Sequence, residues 1–109
     1  MIQLLLMLID ARAVLAMATI GGAKVIGLQN KIGTIEPGKK ADIIIVDTHS
    51  PHMTPMYNPY SQLVYSATGG DVRDVIINGN IVYRDRRFTN LDSAEIMDEV
   101  TRLCRRITV

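Results

Sequence analysis

The sequence holds a single cysteine, Cys104, so no intramolecular disulfide can form and a reducing, cytoplasmic setting is expected. It also lacks a charge excess. Twelve basic residues stand against 11 acidic ones for a net charge of +1, which leaves no field to draw in nucleic acid or anionic lipid. The Arg84, Arg86, Arg87 run and the Arg105-Arg106 pair have Asp85, Asp98 and Glu99 among or near them, so they read as a solvated face rather than a binding patch.

Long apolar runs are missing as well. The opening MIQLLLMLI ends at Asp10, far short of the roughly 20 apolar residues of a membrane helix. It has neither the basic start nor the small-residue cleavage site of a secretion signal, and it reads as a buried helix with nothing in front of it to cover it. At 109 residues there is room for one small core, and 48% hydrophobic with 21% charged residues is a globular balance.

What is present orders itself as helix, strand, loop, hairpin, helix. Leu4 to Ile20 is rich in Leu, Ala and Met and free of Gly and Pro, which predicts one or two packed helices, divided near Asp10. Thr19 and Gly21-Gly22 are expected to interrupt them, with a further short turn over 23–26 that Gly27 caps. Glu36-Pro37-Gly38-Lys39 has type II turn chemistry.

The β-branched run 41–47, bracketed by Asp42 and Asp47, predicts a central strand covered on both faces. Three prolines in 48–60 predict a loop. The stretches 71–77 and 80–84 flank Asn78-Gly79, a dipeptide suited to a type I′ hairpin. Asp92 followed by Glu95, then Ile96, Val100, Leu103, Cys104 and Ile107 at helical spacing, predicts an amphipathic helix from Ser93 to Ile107. The fold class is therefore α+β: N-terminal helices (1–30), a small, mainly antiparallel sheet (31–90) and a C-terminal helix (91–109), forming one structural unit.

Candidate chemistry is sparse. His49 and His52 are the only imidazoles, and with Asp47 they could be proposed as a zinc site. Pro51 lies between them, so they cannot share a helix face, and Asp47 reads as the cap of a strand. Cys104 reads as a small core residue, because a reactive thiolate needs cationic neighbours and exposure. Gly69-Gly70 lacks the lysine and following helix of a phosphate loop, and Ser61, Ser66 and Ser93 lack a nucleophile context. No catalytic, cofactor-binding or metal-ligating residue is assigned. The stripe on the last helix is expected to be core, with a partner helix as the other reading.

Three stretches carry a resemblance when taken in order. MATIGGAKVIGL (17–28) resembles the last barrel-helix region of amidohydrolases, and IGTIEPGKKADIIIVD (32–47) resembles the strand-turn-strand that follows it. NPYSQLVYSATGGDVRDVIINGNIVYRDRRF (58–88) is similar to the deaminase and chlorohydrolase branch, including S-adenosylhomocysteine and methylthioadenosine deaminases.

The resemblance implies a parent hydrolase in which a (β/α)₈ barrel carries the chemistry and a small β-sandwich is built from strands before and after it. It implies zinc or iron in the complete enzyme, held by an H-x-H pair and later barrel residues that have no counterpart here. His52 matches a loop position read as structural. A whole barrel takes about 250 residues, so a chain of this length is expected to be a fragment, a split-gene product or a degenerate remnant, inactive alone. The competing expectation is a free-standing module that docks on a separate barrel-bearing chain. Strands and helices short of partners further predict a homo-oligomer, a dimer with exchanged or shared elements.

Overall fold

Asp10 begins the first described helix, its side chain accepting from the Ala13 N–H at 2.7 Å, as a helix N-cap does. The computed structural model describes residues 9–108, so positions 4–8 of the expected first helix lie outside the described residues. Helix α1 runs as an α-helix over Ala11–Ala16, takes a π-helical turn over Met17–Gly21 and resumes as an α-helix over Gly22–Val25.

The interruption expected at Thr19 and Gly21-Gly22 does not occur. Gly21 and Gly22 keep right-handed φ values of −62° and −59°. A glycine inside a helix costs only about 1 kcal/mol, and small residues let other chain segments come close. A Cβ on Gly33 would lie 2.8 Å from the Ala23 Cβ and 3.2 Å from the Thr19 carbonyl oxygen, so the segment after the helix folds directly back onto it. Thr19 itself donates its hydroxyl to the Leu15 carbonyl at 2.8 Å. The helix closes at Gly27, as expected: Leu28 N donates to Ala23 O at 2.8 Å, Gly27 N donates to Lys24 O at 3.1 Å, and Gly27 sits at φ +73°.

The Pro37-Gly38 reversal forms with Gly38 at φ +87° and Lys39 N donating to Glu36 O at 3.2 Å. It leads into an antiparallel sheet of order β1-β2-β3-β4, with β1 Ile43–Val46, β2 Val72–Ile77, β3 Asn80–Arg84 and β4 Arg87–Phe88. Ile43 stands opposite Ile76 and Ile44 opposite Val75, and a bulge after Ile45 brings Val46 opposite Val72. The β2–β3 hairpin turns on Asn78 (φ +50°) and Gly79 (φ +80°), the paired positive angles of the turn predicted for it. A second tight turn, Asp85 (φ +47°) and Arg86 (φ +62°), adds the short β4 without any glycine.

Further expectations need correcting. The strand at 41–47 is not central: β1 ends the sheet order, with no further strand among the described residues on its outer edge, and Ile44 remains 58% exposed, so its faces are not both covered either. The stretch 48–60 is not all loop. Pro51–Met53 forms a 3₁₀ turn, and Pro59 starts helix α2, which is α-helical over Pro59–Ser61 and π-helical over Gln62–Ser66. Proline is tolerated there because the first turn of a helix has no use for its missing N–H, while Asn58 Oδ1 accepts from Tyr60 N at 3.0 Å and Ser61 N at 3.4 Å.

Helix α3, Ser93–Ile107, has the predicted bounds and is capped by Asp92, which accepts from Ala94 N and Glu95 N. Its apolar stripe is not core, however, and neither is Cys104: every residue of α3 is exposed. Among the described residues the buried apolar side chains are Ala11, Ala23 and Met53. The radius of gyration is 18.2 Å, against about 13 Å for a compact domain of this size, so much of the apolar surface stays open.

Candidate functional site

The densest set of polar contacts lies where the loop after β1 meets the entry to β2. Thr68, Gly69, Gly70 and Asp71 make a 3₁₀ turn in which Asp71 N donates to Thr68 O at 3.0 Å. The Asp71 carboxylate reaches back to Thr68, accepting from its N–H at 2.8 Å and its hydroxyl at 3.2 Å. From the other side His52 Nε2 lies 2.7 Å from Asp71 Oδ2, and the Ser50 hydroxyl donates to Oδ1 at 3.3 Å. The Pro51–Met53 turn positions His52 for this contact, and Met53 beside it is fully buried.

A second carboxylate sits one strand end away. Asp47 N donates to the Asp71 carbonyl at 2.8 Å, tying the two positions together through the backbone. The Asp47 side chain accepts from His49 N at 3.0 Å and from Arg86 at 3.2 Å, and it pairs with His49 Nδ1 at 2.9 Å. Arg86 also donates from Nε to the Gly70 carbonyl at 3.1 Å, so its left-handed backbone delivers the guanidinium to both partners. Nearby, the buried Asp74 accepts from Asp85 N at 2.9 Å and Arg73 Nε at 2.8 Å.

These contacts fix the protonation states. The His52 hydrogen bond, then the Thr68 N–H, hold the Asp71 carboxyl down to about 2, against a burial effect that pushes the other way. The His49 backbone and ring, then Arg86, hold Asp47 well below the usual carboxylate range. The Asp85 N–H, then Arg73, lower Asp74. Lowered in this way, the three carboxylates are ionised at neutral pH and serve as hydrogen-bond acceptors. The cluster is an internal clamp.

His49 and His52 do not converge. Each is engaged by its own carboxylate, Asp47 and Asp71, and among the described residues no group of three His, Cys, Asp or Glu side chains is placed to hold an ion. A zinc or iron centre of the kind the resemblance implies therefore does not fit the donors described here. Gly69-Gly70 forms a 3₁₀ turn into β2. Asp71 reads in the sequence as no more than a strand end, and the Thr68-x-x-Asp71 spacing is the signal that marks it. An apolar cavity of about 650 Å³, lined by Leu15, Ile44, Val46, Met53 and Leu63 among others, holds no titratable side chain.

Short helices and a small four-stranded antiparallel sheet, followed by a C-terminal helix, define an α+β structural unit. The chain belongs to the amidohydrolase family, whose model matches residues 4–82. It is 45% identical over 100 residues to a 5-methylthioadenosine/S-adenosylhomocysteine deaminase of Syntrophus aciditrophicus (strain SB), which covers 92% of this chain and 23% of that relative. It is 46% identical over 91 residues to a 5′-deoxyadenosine deaminase of Methanosarcina mazei, covering 84% of this chain and 21% of the relative.

Among solved structures it is similar to an adenosine deaminase from Xanthomonas campestris with bound zinc, at a TM-score of 0.86 and 36% identity over 90% of this chain and 22% of that one. It is also similar to an atrazine chlorohydrolase from Arthrobacter aurescens TC1 complexed with zinc, at a TM-score of 0.78 and 26% identity, covering 87% of this chain and 21% of that one. The chain thus spans less than one-quarter of the length of these relatives.

Proposed function

We propose that this chain is the non-catalytic C-terminal part of a metal-dependent amidohydrolase that removes an amino group, or chloride, from a heterocyclic substrate. The observation that carries the reading is the pairing of His52 with Asp71 and of His49 with Asp47, which occupies both imidazoles of the chain in clamping its own turns. The likeness to deaminases of 5-methylthioadenosine and S-adenosylhomocysteine supports an adenine-type amine as substrate of the complete enzyme. In this reading zinc or iron and the residues that hold it belong to the barrel portion, and the present chain supplies sheet and helices that brace that portion. The reading includes a cytoplasmic location, where a lone thiol such as Cys104 stays reduced.

The test is complementation. The purified chain is assayed for ammonia release from 5-methylthioadenosine and for bound zinc, alone and after co-expression with the portion of the Syntrophus aciditrophicus deaminase that it does not match. Activity and stoichiometric zinc are expected only in the co-expressed complex. Deamination or stoichiometric zinc in the chain alone overturns the proposal, as does failure of the two pieces to associate.

A further inference from the structure

Helix α3 presents an amphipathic face that no other described element covers. Ile96, Val100, Leu103 and Ile107 recur at intervals of four, three and four, the d, a, d, a positions of a coiled-coil seam, and Ile96, Val100 and Leu103 are each about half exposed. Met97 and Cys104 flank the seam on one side, and Glu99 and Arg106 flank it on the other. Glu95, Asp98, Arg102 and Arg105 point the remaining charge away from it.

We propose that α3 is a self-association surface on which the same helix of a second copy docks antiparallel about a two-fold axis. The charges select this occupant and this direction. In the antiparallel arrangement Val100 meets the partner's Leu103, Ile96 meets the partner's Ile107, and Glu99 falls beside the partner's Arg106, with each contact made twice by symmetry. In the parallel arrangement Glu99 faces the partner's Cys104 instead, Arg106 gains no acceptor, and Arg105 and Arg106 of both copies crowd one end. Within one copy Glu99 already pairs with Arg102 at 3.0 Å on the surface, a contact that it can share or exchange for Arg106 of the second copy. The inference does not depend on the deaminase reading.

Two helices of this length bury less than the about 1,000 Å² of a tight interface, so a reversible dimer that forms in the micromolar range is expected. Sedimentation equilibrium of the full chain tests it. Glu99→Arg and Arg106→Glu each place like charges at both symmetric contacts and should raise the dissociation constant about tenfold or more. The double variant, and an equimolar mixture of the two single variants, should restore association. Rescue by mixing cannot arise from a folding defect, and helix content by circular dichroism is expected to be unchanged.

Met97→Cys adds a thiol opposite the partner's Cys104. With oxidised glutathione the two thiols lose their protons and two electrons to form one disulfide, and glutathione is reduced. Positions 97 and 104 on one helix are about 10 Å apart, beyond disulfide reach, so the bond must join two copies. A chain that is monomeric at every concentration overturns the proposal and leaves the face to a barrel-bearing polypeptide. So do single charge variants that associate like the parent, or mixtures that do not recover.

Discussion

His52 Nε2 and Asp71 Oδ2 stand 2.7 Å apart across 19 residues of sequence, joining a side chain that is 46% exposed to one that is 4% exposed. The two partners are unequal. Asp71 also serves Thr68 and Ser50, whereas His52 makes this one hydrogen bond.

Removing Asp71 leaves the Thr68 N–H, the Ser50 hydroxyl and His52 without their acceptor, while removing His52 leaves the carboxylate with its other donors. Asp71→Ala is therefore expected to lower the melting temperature clearly more than His52→Ala, with Asp71→Asn in between. Thermal denaturation followed by circular dichroism checks the order, and equal losses for the two alanine variants would contradict the asymmetry.

Acid should loosen the same clamp. Asp71 has its folded pKa depressed to about 2, below the about 3.9 of an unfolded aspartate, so the unfolded chain binds the proton more readily. Its contribution to stability is complete above the unfolded value and fades as the pH falls through the folded one. Asp47 and Asp74 are shifted in the same direction. Urea midpoints should hold steady near neutrality and fall between about pH 4 and pH 2, and Asp71→Asn should flatten that slope without abolishing it. A slope unchanged in the variant would remove Asp71 as its source.

The elements legible in the sequence are those specified by short-range chemistry. Asn78-Gly79 carries both positive angles of its hairpin, and Asp92 starts a helix whose length follows from its own periodicity. The elements that differ from expectation depend on distant partners. Gly21-Gly22 looks like a break until Gly33 is known to press on the same helix, and 41–47 looks like a central strand because its composition expects neighbours on both sides.

The polar cluster is half legible. The two histidines stand out, but their acceptors cannot be read from spacing, because Asp71 lies a helix away from His52. One local signal is masked by its surroundings: Asn58 followed by Pro59 is a helix start, hidden among prolines that suggest a loop.

Two glycines separate backbone strain from crowding. Gly79 (φ +80°) has open space where a Cβ would stand, with nothing within 4 Å, so Gly79→Ala should cost only the left-handed penalty, about 1–2 kcal/mol. Gly33 (φ +96°) combines that penalty with a contact 2.8 Å from the Ala23 Cβ. Gly33→Ala should cost distinctly more, because α1 and the bend that follows it must separate to admit the methyl. Chemical denaturation of both variants decides this, and equal losses would mean that α1 gives way freely.

Met53 makes the last test one of coupling. It is the one large side chain among the described residues that is fully buried, and it follows His52 in the same 3₁₀ turn. Met53→Ala should cost about 2–5 kcal/mol through lost burial and the space left behind, Met53→Leu less than about 1.5 kcal/mol, and the exposed Met97→Ala about 0.5 kcal/mol or less. The packing of Met53 and the hydrogen bond of His52 hold one turn against the entry to β2, so neither is fully effective once the other is gone. A double-mutant cycle of Met53→Ala and His52→Ala should therefore fall short of additivity, and strict additivity would show that the apolar and polar halves of the clamp act independently.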